Sequence, residues 1–245
     1  MADGPRGDKS APPRAMRGAF LNTAVWHAAP SIGAPLITAN PPIGLGFDSP
    51  KWQPLRQAWL PTGLEKLFQP GWARVTWAAD HLCYEAYFVG PVPRNRARTL
   101  NERTWELGDI CEVFVEVAGG PGYVELHVTP ENQRLQLLWR PGAFERFSAG
   151  EAPLAAATIQ DPNWVQSTGH VTAVGWAISA ILPAHVLGLA ELSPELLLRT
   201  AVCRYDCGPR GEPVRLSSTA ALTFPSYHRR AEWHLLVLDK TSSSP

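Results

Sequence analysis

Two neighbouring segments decide how this chain folds: ICEVFVEV at Ile110–Val117 and YVELHV at Tyr123–Val128. The first is apolar along most of its length, and the second alternates between polar or aromatic and aliphatic residues. Because successive side chains of a strand point to opposite faces, Glu125 and His127 share one face and the aliphatic residues between them share the other. Gly119–Gly122 (GGPG) has the composition of a tight turn. We therefore predict a β-hairpin here.

More strands are expected on both sides of this hairpin. β-branched, aromatic or alternating sequence predicts them at 73–78, 82–89, 134–139, 171–178, 196–205 and 234–239. Convincing helices are few: residues 141–165 are interpreted as a long connection, and 183–189 as a short helical turn. Roughly nine short strands separated by turns indicate an all-β fold, a single antiparallel β-sandwich of immunoglobulin or jelly-roll type.

The N-terminal part of the chain differs in composition from the rest. Residues 1–30 are rich in Pro, Gly, Ala and Arg with little periodicity, which predicts a flexible, disordered N-terminal arm. Residues 30–62 contain seven prolines and are expected to be extended chain or edge strand, because proline cannot donate to a central ladder. The 245 residues, against ~150 per domain, then leave 31–245 as one sandwich domain.

Charge and hydropathy exclude several classes of partner. Lys plus Arg and Asp plus Glu both number 22, so the chain lacks the basic surplus that nucleic-acid binding requires. The longest apolar runs, such as 171–182, are shorter than the ~20 residues of a membrane span. The N-terminus lacks the apolar core of a signal peptide, so a cytoplasmic location is the default expectation. No protein partner is indicated.

The sequence gives no support for a metal or another cofactor. Its four cysteines are Cys83, Cys111, Cys203 and Cys207, too few for a disulfide scaffold. The Cys203-x3-Cys207 pair has no second pair of ligands, so buried free thiols are the preferred interpretation. Structural calcium is not supported, because no Asp-x-Asp-x-Asp ladder is present.

Several segments, in a fixed order, resemble family 9 carbohydrate-binding modules and their family 9-like relatives. They are FDSPKW (47–52), RVTWAADHLCY (74–84), WELGDICEVFV (105–115), GYVELHVTP (122–130), WAISAILPAHVLG (176–188) and CRY (203–205). The resemblance covers about residues 45–240. It implies a β-sandwich that holds the end of a sugar chain between two Trp rings, while polar side chains of the sheet bond the sugar hydroxyls.

Four candidate site residues follow from this resemblance together with the strand alternation. Trp105 stands at the first of the family's two Trp positions and is expected to stack on a pyranose, unless it merely plugs one end of the sandwich. Glu112 interrupts an apolar strand, so it must face a polar cleft or be paired. With Glu125 and His127 it would form a patch that bonds hydroxyls. The alternative is a solvated outer face with cross-strand pairs to arginine.

Two further candidates are less directly marked. Arg204 alternates with Val202 and is expected either to reach the patch or to form a salt bridge with one of its carboxylates. The family's second Trp has no clear counterpart: Trp233 adjoins the last strand and is interpreted as core, whereas Tyr227, in the preceding loop, is taken as a substitute.

The predicted function is non-catalytic carbohydrate binding, with three alternatives. The domain could be an interaction module in which the sugar cleft has decayed. It could process glycosides if Glu112 and Glu125 lay ~5–9.5 Å apart as acid and base. It could also bind haem through histidine, although Met1 and Met16 are its only methionines and both lie in the arm, which excludes methionine ligation inside the fold.

Overall fold

The structure is a computed structural model that describes residues 22–27, 52–61, 63–67, 70–90, 93–207 and 213–238. Its strands are β1 (Asn22–His27), β2 (Gln53–Pro54), β3 (Gly71–Ala78), β4 (His81–Val89), β5 (Ile110–Val117), β6 (Tyr123–Val128), β7 (Arg134–Trp139), β8 (Gln166–Thr172), β9 (Gly175–Pro183), β10 (Leu197–Asp206), β11 (Arg215–Ser218) and β12 (His234–Leu238). A short helix, α1 (Ala143–Ser148), follows β7, and 3-10 turns lie at Leu64–Leu67, Thr104–Glu106, Leu154–Ala156, Ala184–Leu187 and Arg230–Glu232. No helix among the described residues is long and apolar enough to span a membrane.

The strands form two antiparallel sheets. The front sheet has the order β7-β6-β5-β10-β12, with β11 also paired to β10. The back sheet has the order β8-β9-β4-β3, with β2 on β3. Strand β1 pairs with both β12 and β3 and so joins the two sheets along one side. The all-β antiparallel sandwich predicted from the sequence is confirmed.

The alternation in β5 and β6 decides which residues fill the core between the sheets. Val113 on β5 and Leu126 on β6 are opposite each other in the register and both point towards the back sheet. There they join a buried cluster that includes Tyr84 and Trp176. Each such side chain contributes about 1.5–3 kcal/mol on burial, so the aliphatic face of the predicted hairpin holds the two sheets together.

The other face of the front sheet is also covered. A second buried cluster, centred on Phe114, Trp139 and Trp233, packs there. The segment after β7, which includes α1, and the segment between β11 and β12 pack against this face. Strands β5 and β6 are therefore buried on both faces, and the alternative of a solvated outer face does not describe this protein.

Three local features differ from the sequence interpretation or extend it. The segment 171–178, predicted as one strand, belongs to two: β8 ends at Thr172, residues 173–174 form a turn, and β9 begins at Gly175. The connection at 141–165 contains α1. Within the predicted arm at 1–30, residues 22–27 form β1, and the rest of the arm lies outside the described residues. The four cysteines are free thiols, three of them buried.

Candidate functional site

A cleft of about 490 Å³ opens on the outer face of the front sheet. Side chains of β5, β6 and β7 form its floor, and its walls come from the turn at 104–106, helix α1 and the loop at 225–228. Five of the six residues predicted from the sequence line it: Trp105, Glu112, Glu125, His127 and Tyr227. The same cleft is lined by Trp139, Phe144, Phe147 and His228.

The register of the predicted hairpin brings the polar patch together. Glu112 on β5 lies directly opposite His127 on β6, and Glu125 is two residues away from His127 on the same face. All three side chains are nearly inaccessible to solvent. Their shared face was expected from the alternation, and the register adds the direct Glu112–His127 pairing.

Hydrogen bonds fix two members of this patch and leave the third without one. Nε2 of His127 lies 2.7 Å from Oε1 of Glu125, and Nδ1 of His127 lies 2.8 Å from Oγ1 of Thr104. The other oxygen of Glu125 accepts a bond of 2.5 Å from the indole N–H of Trp139. Glu112 comes no closer to His127 Nε2 than 3.8 Å and accepts no hydrogen bond from the described residues.

Burial and neighbouring charges shift the pKa values of the two carboxyls in opposite directions. Burial raises the pKa of Glu112 to about 7, with the charge of Glu125 adding to the rise and that of His127 opposing it. Burial also acts to raise the pKa of Glu125, but protonated His228 and the hydrogen bond from His127 outweigh it and lower that pKa. Burial lowers the pKa of His228 itself, so at neutral pH the lasting support comes from the bonds of His127 and Trp139. Burial acts to lower the pKa of His127, but the charge of Glu112 and the hydrogen bond to Glu125 outweigh it and raise that pKa. Glu125 and His127 therefore behave as an ion pair beside a carboxyl that readily takes a proton.

Aromatic rings stand on both sides of the polar floor. Trp105 is half-buried, and its ring meets that of His127 nearly edge to face, 5.7 Å between centroids and 70° between planes. On the α1 side, the half-buried rings of Phe144 and His228 are stacked at 3.6 Å and 17°. Phe147 from the same helix packs on Trp139. The cleft therefore combines apolar walls with a charged floor.

Tyr227 contributes to the wall, but its hydroxyl is already engaged. The Tyr227 O–H donates to the carbonyl of Arg204 at 2.5 Å and accepts from the backbone N–H of Ser217 at 3.1 Å. Only 6% of the residue is exposed. The Phe144–His228 stack lies more openly on that side of the cleft than Tyr227 does.

Arg204 does not take part in the site, which corrects the sequence interpretation. On β10 it lies opposite Cys111, so it points into the sandwich, whereas its neighbour Cys203 lies opposite Glu112. Its guanidinium donates to the carbonyl of Val89 at 2.9 Å and pairs with Asp206 at 3.3 Å. Neither the expected contact with the patch nor a salt bridge to its carboxylates is formed.

Sequence reasoning missed several wall residues for identifiable reasons. Trp139 lies at the end of the predicted strand at 134–139, where nothing marks it as a cleft residue; it is buried, and its N–H donates to Glu125 in the cleft floor. Phe144 and Phe147 lie in a Pro- and Gly-rich segment taken as a connection, although their spacing of three places them on one face of a helical turn. The interpretation of Trp233 as core is confirmed, since it is fully buried and donates to the carbonyl of Tyr227 at 2.7 Å.

Comparison with known proteins supports the fold. No protein-family model and no curated protein matches the sequence. The structure is similar to that of a candidate carbohydrate-binding protein from Bacteroides uniformis, with a TM-score of 0.58 and 14% identity over 76% of this chain and 84% of that one. It is also similar to a family 9 carbohydrate-binding module from Caldicellulosiruptor kristjanssonii in complex with glucose, with a TM-score of 0.55 and 11% identity over 88% of this chain and 96% of that one. The family 9-like resemblance found in the sequence is thus confirmed at the level of the fold.

Proposed function

We propose that this chain binds a carbohydrate, without catalysis, in the cleft between Trp105 and helix α1. The observation that carries the proposal is the half-buried indole of Trp105 beside a buried charged floor in one concave site. Sugars have an apolar C–H face and a ring of hydroxyls, so they suit a site that offers both an aromatic surface and fixed polar groups. The likeness in fold to a module that holds glucose agrees with this choice.

In this proposal Trp105 stacks on one face of a sugar ring. The Phe144–His228 stack serves as the opposite wall, in place of the second Trp that the sequence lacks. Tyr227 closes the end of the cleft as part of its lining. Aromatic walls on two sides would bury most of a single pyranose, which favours recognition of a chain end or a free monosaccharide.

Glu112 is the proposed acceptor for a sugar hydroxyl. Its carboxyl is 7% exposed and accepts no hydrogen bond from the described residues. A hydrogen bond to a charged group contributes about 1.5–3 kcal/mol, so a sugar hydroxyl that donates to the Glu112 carboxylate would be held firmly. The polar atoms of Glu125 and His127 are hydrogen-bonded to each other and to Trp139 and Thr104. These two residues therefore form the charged surface of the floor.

The same contacts favour binding over glycoside hydrolysis. Oxygens of Glu112 and Glu125 lie within 4.8 Å of each other, near the separation of a retaining pair. However, both oxygens of Glu125 accept hydrogen bonds, from His127 and from Trp139, which weakens them as nucleophiles.

A calorimetric panel tests the proposal. Glucose, galactose, xylose, N-acetylglucosamine, cellotriose and xylotriose are titrated into the purified chain in buffer with EDTA. We expect saturable one-to-one binding of at least one sugar, together with no release of reducing ends from oligosaccharides. Heat from none of these sugars would contradict the proposal, and release of reducing ends would move the function to hydrolysis.

A further inference from the structure

The floor of the cleft also has the composition of a metal site. One oxygen of Glu112, one oxygen of Glu125 and one nitrogen of His127 lie within 4.8 Å of one another. The three residues come from adjacent strands of a buried sheet, so their backbone positions are fixed by the β5–β6 register. Two carboxylates and an imidazole are ligands that several divalent metal ions accept.

Glu112 gives an independent indication that the floor receives a cation. Its side chain is only 7% exposed and lines the cleft, and it accepts no hydrogen bond from the described residues. Its nearest positive group, Nε2 of His127, is 3.8 Å away and is already bonded to Glu125. A carboxylate this enclosed is costly unless it is paired, takes a proton or coordinates a metal. A cation bound in the floor would let Glu112 stay ionised.

Thr104 and Trp139 form hydrogen bonds that hold the floor residues in place, as the hydrogen-bond partners of metal ligands generally do. Thr104 bonds Nδ1 of His127, which leaves Nε2 as the atom directed at the carboxylates. Trp139 bonds Oε2 of Glu125, which leaves Oε1 on the side of His127. A histidine that ligates a metal generally uses its second nitrogen in this way, and ligating carboxylates are held by similar bonds.

We propose that Glu112, Glu125 and His127 together bind one divalent transition-metal ion. The imidazole favours Zn²⁺ over Ca²⁺, which takes oxygen ligands, and the two carboxylates also allow Mn²⁺. Three protein ligands leave coordination positions on the cleft side for water or hydroxyl groups. On binding, His127 releases to solvent the proton that it holds between Nε2 and Glu125, and Glu112 releases any proton that it carries, because a ligating imidazole nitrogen and a ligating carboxylate must both be deprotonated. This proposal goes beyond sugar binding and does not depend on it.

Zinc titration of the metal-free chain tests the site. Tag-free protein is treated with EDTA, freed of chelator and titrated with ZnCl₂ in a calorimeter without sugar. We expect one Zn²⁺ per chain. Glu112→Gln and His127→Asn should each weaken binding about 100-fold or more, and Thr104→Val about 10-fold as the loss of an orienting bond.

Two matched controls make the same chemical changes elsewhere. His170→Asn and Glu191→Gln alter exposed residues outside the cleft and should leave zinc binding unchanged. Absence of saturable zinc binding by the wild type would overturn the proposal, as would unchanged binding in both Glu112→Gln and His127→Asn.

A measurement on the wild type covers the case in which a floor variant does not fold. Substoichiometric Mn²⁺ should broaden the NMR signals of Thr104 and His127 before those of surface residues such as His170. Broadening confined to the surface would contradict the site. Because the sugar panel is run in EDTA and the zinc titration without sugar, failure of one proposal is distinguishable from failure of the other.

Discussion

The indole N–H of Trp139 donates to Oε2 of Glu125 across 2.5 Å, from β7 to the neighbouring strand β6. This bond joins the apolar cluster on the outer face of the front sheet to the charged floor of the cleft. Together with the larger effects of His228 and His127, it helps to keep the buried Glu125 carboxylate ionised, since hydrogen bonds to the charged form favour that form.

Replacing Trp139 by Phe tests the contribution of this bond to stability. Trp139→Phe keeps an aromatic ring but removes the donor, so a buried carboxylate loses one of its two hydrogen bonds. We expect a loss of about 1–3 kcal/mol in the free energy of unfolding, measured by urea denaturation.

Trp176→Phe is the matched control for this substitution. Trp176 is also fully buried, but its N–H has no hydrogen-bond partner among the described residues, so the same change removes ring volume without removing a bond. A loss for Trp139→Phe no larger than that for Trp176→Phe would show that the bond contributes little.

Arg204 yields a prediction that separates stability from binding. Arg204→Met removes a buried charge and leaves Asp206, 3.3 Å away, without its partner. Breaking a buried ion pair from one side costs about 3–5 kcal/mol, so we expect a much lower midpoint of urea unfolding. Sugar affinity at a temperature where the variant is folded should not change, because Arg204 points away from the cleft. A loss of sugar affinity with unchanged stability would show that Arg204 takes part in binding.

Glu232 holds the loop that carries Tyr227 and His228, and this contact depends on pH. Hydrogen bonds from Arg229 and then from Thr223 lower the pKa of Glu232 to about 2. A depressed carboxyl pKa stabilises the fold above the pKa of the unfolded chain, near 4.5, and this stabilisation is lost as the pH falls towards 2.

Glu232→Gln therefore should lower the free energy of unfolding at pH 7 by about 1 kcal/mol, since the group is partly exposed. The difference from the wild type should shrink between pH 4.5 and 2. Urea denaturation across this range measures it, with Glu191→Gln as a surface control. A difference that stays constant down to pH 2.5 would contradict the role of the ionised carboxylate.

The local part of the site was accessible from the sequence because a strand has a fixed period. Alternation placed Glu125 and His127 on one face, and a short hairpin loop limits the register that brings Glu112 beside them. The face of the sheet to which Arg204 points could not be predicted in this way. The residues of β10 that pair with β5 lie 81 to 95 positions further along the chain. The register of β10, and hence the face to which each of its side chains points, therefore depends on the whole sandwich.

The walls of the cleft were harder to predict than its floor. Phe144 and Phe147 lie on a helix of only six residues, too short to give a clear helical period. The hairpin between β8 and β9 turns at Ala173 and Val174, which carry no turn signal, so the sequence there suggested continuous strand. In both places tertiary packing, rather than local preference, determines the structure.

The most direct test of sugar binding in this cleft compares Trp105→Ala with Phe224→Ala by calorimetry, using the sugar that binds best to the wild type. Trp105 lines the cleft, whereas Phe224 is 61% exposed and lies just outside it. Loss of the stacking ring should weaken binding by about 2 kcal/mol, or roughly 30-fold, while Phe224→Ala should match the wild type. Equal affinities of all three proteins would contradict binding against Trp105.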